Sequence, residues 1–364
     1  MTATVQSAQA PLAPGPARPA GPSRAVTLVR GAGRWAAALV GAVLIFAVIL
    51  MTKGADPVAV FSDAWSNTLL NGDAIEQILI KAGPFALAAL AVVVPSRAGL
   101  VNVGGEGQVL LGAVAAGGVA LYAGDVLPGP VTLLLMLTVG VTAGAAWAGL
   151  AALLRLTVRV NEAVSTLLLN YVALDLLLTL IYQPWKDPNG SGQPATPPIS
   201  DAEKLPVFTG TAVNVGLVLV LVAAVVTWAL FRYTGWGYRL KAVGGNPEAA
   251  RRAGLPVTRL LLTAMLVGGG LAGLAGAIHL AGVEYQLRPG FAAQVGYIGF
   301  LASWLVRHRP GPVLIASVAM AALVVTGDSL QLDAGLPAAT VSILTGLVLA
   351  AVLGWTGTRT ATAR

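Results

Sequence analysis

An all-α membrane fold of about ten transmembrane helices is what this chain predicts, and three observations predict it. Apolar stretches recur ten times along the sequence, most of them about 20 residues long, the length a helix needs to cross a bilayer. Hydrophobic residues make up 56% of the 364 and charged ones only 10%, more apolar surface than a soluble core of this size can hide. Arginine and lysine gather between alternate stretches, as the inward retention of basic residues requires.

Taken in order, the spans are expected at 35–51, 75–94, 107–122, 131–154, 163–181, 213–231, 260–281, 292–306, 313–326 and 338–353. Residues 1–24 are rich in Ala, Pro, Gly and Gln without an apolar run, and read as a disordered cytoplasmic tail. The membrane domain then covers 25–355, and 356–364 form a second cytoplasmic tail. Residues 183–212 carry Pro184, Pro188, Pro194, Pro197, Pro198 and Pro206, the composition of an outer loop with little regular structure. Placing the amino terminus inside leaves 17 of the 22 basic residues on the cytoplasmic side, so both termini are expected in the cytoplasm of a cell-membrane protein. The net charge of +7 reflects that topology and calls for no nucleic-acid partner. Without a single cysteine, the chain has no disulfide, thiolate metal site or cysteine nucleophile.

Two segments break the apolar pattern where a span should begin. The first, RAGLVNVGGEGQ at 97–108, puts four glycines and the polar Asn102, Glu106 and Gln108 at the mouth of span three. Such backbone survives at membrane depth only when buried in protein or lining a wet cavity. Close helix packing through glycines also accounts for the glycines, though less well for the three polar side chains. The second, RPGFAAQVGYIGF at 288–300, opens span eight. Spans three and eight lie five apart and so run in opposite directions, as an inverted repeat of five plus five helices with discontinuous helices at both positions would produce.

Span five opens on NEAVSTLLLN at 161–170. Asn161, Ser165, Thr166 and Asn170 fall roughly on one helical face, and such neutral groups suit an uncharged polar solute. Helix capping by Asn161 and interhelical hydrogen bonding compete with that reading, and for Ser165 and Thr166 they are preferred. Asp175, deeper in the span, is the carboxylate nearest mid-membrane: either a functional acid or one paired within the bundle. His279 stands alone and is read as packing or bonding locally; no metal or other cofactor is expected.

The third interruption lies between spans six and seven, GYRLKAVGGNPEAARRAGLP at 237–256. Its centre is a fully punctuated two-turn helix. Asn246 caps it, Pro247 fills the first turn, Glu248 suits its positive end, and Gly254 and Pro256 stop it. A helix this short is marginal by itself in water, so it is expected to dock on something, the alternative being a basic loop that merely fixes topology.

Together these segments resemble the permease subunit of an ATP-binding-cassette importer, in the simple-sugar and nucleoside branch that includes ribose and branched-chain amino acid systems. GLVNVGGEGQ at 99–108, NEAVSTLLLNY at 161–171 and GYRLKAVGGNPEAAR at 237–251 carry the likeness to the nucleoside permeases, which extends from about 75 to 353. The resemblance implies that 246–254 is the coupling helix, with Asn246, Pro247, Glu248, Arg251, Arg252 and Gly254 seated in a groove of a cytoplasmic ATPase. It also implies an extracytoplasmic substrate-binding lipoprotein and a second permease subunit, either a different chain or another copy of this one. Three departures stand out: ASWLVRHR at 302–309 replaces a small-residue run with a glycine, Asp175 replaces an apolar residue, and Gly105 replaces a branched one.

No enzyme activity is expected of the chain. A phosphate-cradling loop needs a glycine directly before its lysine, and none of the five lysines has one. The expected function is passage of a neutral polar solute, first a nucleoside and second a monosaccharide. Asn102, Glu106, Gln108, Asn161, Asn170 and Gln294 would line the path, with Phe291, Tyr297 and Trp304 for ring stacking. A rival of another class is an ion- or proton-coupled transporter using Asp175 and Glu106.

Overall fold

Hydrophobicity on every side marks a helix that has no outer face, and the second predicted span is such a helix. In the computed structural model, which describes residues 40–333 apart from 42, 53, 55, 70 and 191, together with 343, 346 and 347, α3 (Gly72–Arg97) is buried almost continuously from Ala82 to Pro95 and forms the central column. Asn71 caps it by accepting the Asp73 N–H. Ahead of it come α1 (Val43–Thr52) and α2 (Pro57–Leu69), with a bend of 117° between Val43–Thr52 and Pro57–Asp63.

Around α3 stand α4 (Gly105–Ala123), α5 (Gly129–Val158), α6 (Glu162–Tyr182) and α7 (Gly216–Tyr233). Two short helices follow, α8 (Gly235–Gly245) and α9 (Pro247–Arg252), then α10 (Val257–His279), which runs on into a π-helical turn, Leu280–Glu284. The last described elements are α11 (Val295–Leu305) and α12 (Pro310–Asp333). The described residues contain no β-strand, only an isolated bridge between Val207 and Asn214.

Packing between α10, α4 and α5 is backbone on backbone. A Cβ added at Gly273 would collide with the Gly140 carbonyl, one at Gly276 with the Val109 carbonyl, and one at Gly144 with the Gly269 carbonyl. Small residues let membrane helices approach this closely, where lipid supplies no hydrophobic drive to associate.

Ten crossings were expected, and seven described helices are long and apolar enough to make them. Spans two to seven and nine match α3 to α7, α10 and α12, each within a few residues except at the far end of α12. Span eight falls short: α11 has 11 residues, about 16 Å at helical rise and roughly half the hydrocarbon thickness. Span one lies partly, and span ten almost wholly, outside the described residues, as do both predicted tails.

The two ends of the bundle differ. Arg97, Arg155, Arg159 and the short α8 and α9 gather at one end, where Gly99 packs against Gly244. At the other end, residues 183–215 form a strap rather than a free loop. Thr196 N–H donates to the Leu287 carbonyl, Ile199 N–H to that of Tyr285 and Leu205 N–H to that of Ala281. A 3-10 turn at Asp201–Glu203 adds local order. There Asp201 holds the half-buried Lys204 ammonium above its ordinary pKa by a 2.5 Å hydrogen bond, and is itself held below the usual carboxylate range.

Candidate functional site

Non-helical backbone enters the bundle from both ends. From the basic end, residues 98–104 turn back from Arg97 until the Asn102 amide reaches the Ala91 carbonyl, two turns up α3 (3.3 Å). Asn102 is completely buried and locked to Gln108 by two reciprocal amide bonds of 3.0 and 2.9 Å, and its oxygen also accepts the Gly104 N–H. These two side chains therefore satisfy the broken backbone from within the bundle.

The polar face of α6 finishes the task. Glu162 accepts the Val101 N–H, Thr166 the Val103 N–H, and Asn170 the Gly107 N–H at 2.8 Å. Asn170 also donates to the Val103 carbonyl and to the Tyr297 hydroxyl of α11. Arg155 pairs with Glu162 and ties α5 to the same knot. Asn161 is exposed and caps α6 by accepting the Ala163 and Val164 N–H groups, as its position predicts.

From the other end, residues 285–294 descend to meet α4. Both oxygens of Glu106 accept backbone bonds there, from Gln294 N–H and Gly296 N–H, each at 2.7 Å. A carboxylate is the group best suited to the positive start of a helix, and this one caps α11 from another span. Gly105 lies against Gly296, so the starts of α4 and α11 meet inside the bundle. They point apart: α12 brings Asp328 to Lys81 (2.5 Å) near the strap end, so α11, which precedes it, runs toward the basic end.

Glu284, which the sequence reading did not single out, is a second staple. It accepts from His279 Nε2–H, Arg288 Nε–H and the Ala292 N–H, each at 2.9 Å, fixing the π-turn and the descending loop. His279 thus bonds locally, and packs edge-on against the buried Phe291, their ring centroids 5.2 Å apart. Phe291 is core rather than an open stacking surface. Above these residues opens a cleft of about 470 Å³ bordered by Lys81, His279, Glu284, Arg288, Gln294 and Asp328. That volume falls within the range of small-molecule sites. Only distant pairing creates it, and one sequence carries no record of pairs.

At the far end of α11, Trp304 is exposed and packs between Phe300, tilted against it at 5.9 Å, and His308, edge-on at 4.9 Å. Arg307 and His308 both take left-handed φ angles, 54° and 56°, in the turn to α12. Burial pulls the His308 imidazole below its ordinary pKa, and its Nδ1 bonds Ser303 Oγ at 2.8 Å. Left-handed geometry costs a side chain about 1–2 kcal/mol, a cost that glycine avoids. The substitution Arg307→Gly is therefore expected to stabilise the protein by about 1 kcal/mol, read as a melting temperature raised by roughly 2–4 °C in detergent. A lower melting point would show that the Arg307 side chain contributes more than its backbone strain.

The short helix α9 keeps its predicted punctuation. Asn246 Oδ1 accepts the Glu248 and Ala249 N–H groups at 3.0 Å, Gly254 takes φ 79°, and Leu255 N–H closes onto the Ala250 carbonyl. Its helical part is six residues, shorter than the two turns expected. Ala250 is buried among Val257, Leu260 and Leu261, while Glu248, Arg251 and Arg252 pair with one another on the exposed side. The residues before Asn246, left unassigned by sequence, form α8, where glycine at 244 lets the turn abut the Arg97 carbonyl.

Seven helices long and apolar enough to span, irregular backbone entering from opposite ends and a cleft with charged groups on its border above their meeting point define a multi-pass membrane transport protein. Residues 74–361 match the family described as branched-chain amino acid transport system, permease component, and the chain belongs to that family. It is 35% identical to the glucose ABC transporter permease protein TsgB13 of Haloferax volcanii, over 85% of this chain and 84% of that one. Identity is 28% to the guanosine ABC transporter permease protein NupP of Bacillus subtilis, over 83% and 87% of the two chains. A second Haloferax volcanii protein, the putative glucose ABC transporter permease protein TsgC13, is 31% identical over 68% of this chain and 73% of its own.

Proposed function

We propose that this chain is a membrane-spanning subunit of an ATP-driven importer that passes a neutral polar solute, foremost a nucleoside, into the cytoplasm. The observation that carries the reading is the meeting of α4 and α11 through Glu106, in a chain of a permease family. Two helices that start inside the bundle and run apart are what ten spans in an inverted repeat would produce, with the solute passing where the halves meet. Gln294, Tyr297, Asn170 and Trp304 border the path; Asn102, Gln108, Asn161 and Glu106 hold its frame. Both termini and α9 face the cytoplasm, where Glu248, Arg251 and Arg252 meet the ATPase. An extracytoplasmic binding protein delivers the solute, and a second permease closes the conduit, in keeping with the two Haloferax volcanii permeases that this one chain resembles.

A monosaccharide is the second reading, favoured by the higher identity to a glucose permease than to a guanosine permease. Vesicles holding the chain with its ATPase, binding protein and second permease decide between them. Accumulation of labelled guanosine that requires ATP inside and the binding protein outside is the expected result, and glucose in its place selects the second reading. Uptake driven by a proton or sodium gradient without ATP would instead favour the ion-coupled class.

A further inference from the structure

The outer face of α6 carries a feature that the framework residues leave unused. Asp175 is exposed on that face, 13 residues from Glu162 and seven from Tyr182, in a helix long and apolar enough to cross the bilayer. Seven residues of helix span about 10 Å, too far for so short a side chain to reach the helix end. Among the described residues no basic group pairs with it. A carboxylate facing hydrocarbon is costly, and such groups face a water-filled cavity or another protein surface.

Its neighbours agree. Tyr171, Asp175, Thr179 and Tyr182 fall within one stripe at helical spacing, all exposed and all with polar tips. The rest of the exposed face of α6 is apolar, with Leu168, Val172 and Leu176, as is that of α7 around Val225, with Leu221, Val222 and Trp228, so the four polar tips form a stripe within a surface otherwise suited to lipid. The inner face of the same helix reaches α11: Asn170, buried one residue before Tyr171, donates to the Tyr297 hydroxyl at 3.2 Å.

We propose that Asp175 lies in the wall of the solute conduit, on the side closed by the second permease subunit, and accepts hydrogen bonds from the ring hydroxyls of the passing solute. An ionised carboxylate only accepts, with two oxygens. Two adjacent hydroxyls on a ribose or hexose ring supply two donors at matching spacing, whereas an anionic solute would be repelled. The inference rests on the importer reading and adds the residue that selects for hydroxylated rings.

The chain contains no cysteine, so single cysteines can be introduced without background. In vesicles of the complete transporter, the D175C and T179C variants should react with a charged, membrane-impermeant thiosulfonate, and V225C should not. Paired uptake measurements with guanosine and 2′-deoxyguanosine, and with glucose and 2,4-dideoxyglucose, whose deoxy members keep no two adjacent ring hydroxyls, then read the contact, the binding protein being the same in every arm. Asp175→Leu should slow the hydroxylated member about tenfold and its deoxy counterpart twofold or less, with Asp175→Asn intermediate. If D175C and T179C are as inert as V225C, or if Asp175→Leu slows both members equally or neither, the proposal is overturned. ATP-driven uptake of neither solute by the unmodified transporter would sink the importer reading instead, while the thiol reactivity still reports whether the stripe is wet.

Discussion

Replacing Glu106 by alanine is expected to remove most of the folded transporter from the membrane, the largest effect of any single substitution considered. Its two oxygens hold the Gln294 and Gly296 N–H groups at 2.7 Å, where α11 begins with the buried Val295 and Gly296. Hydrogen bonds to a charged group contribute about 1.5–3 kcal/mol each, and a buried donor left without a partner costs its full desolvation. Losing both amounts to about 3–6 kcal/mol, on the order of 10 °C in melting temperature. Glutamine keeps one acceptor and turns its NH2 group toward the other donor, so Glu106→Gln should lie between wild type and Glu106→Ala. Thermal melting in detergent measures the series. A Glu106→Gln protein that melts as wild type yet fails to transport would return Glu106 to the role of coupling carboxylate that the ion-coupled reading assigns it.

Uncoupling is the second large effect expected. Glu248 and Arg251 are exposed and paired at 3.1 Å on a helix anchored by the buried Ala250. Exposed pairs contribute little to folding, about 0–1 kcal/mol. The double substitution Glu248→Ala, Arg251→Ala should therefore leave insertion and melting unchanged. It should lower ATP-dependent uptake at least tenfold while the ATPase subunit continues to hydrolyse ATP, if the groups removed are those that meet the motor, as the proposed function has it. Parallel measurement of ATP hydrolysis and solute uptake in vesicles tests it, and unimpaired uptake would leave α9 as a topology loop only.

Apolar run length located most crossings because burial in lipid needs only composition: 131–154 was expected where Gly129–Val158 stands, and 163–181 where Glu162–Tyr182 stands. Run length says nothing about where within a span helical bonding starts, so 292–306 is predicted as a crossing although its first three residues are irregular and only 11 are helical. Local signals were equally legible. Asn161 and Asn246 cap helices because capping is decided within three residues of chain. The partners of Asn102, Glu106 and Glu284 were not legible, for each depends on which distant backbone arrives beside it. Asn102 and Gln108 show the limit most plainly: polar side chains at a break in a membrane helix must bond to something, and here they bond each other.

The glycine contacts among α4, α5 and α10 limit how the molecule can change shape. Carbonyls and Cα atoms, rather than flexible side chains, meet at Gly112, Gly140, Gly144, Gly273 and Gly276, and backbone offers no alternative rotamers to absorb a slip. These three helices behave as a fixed keel, and any opening and closing of the molecule must be hinged on the elements around it.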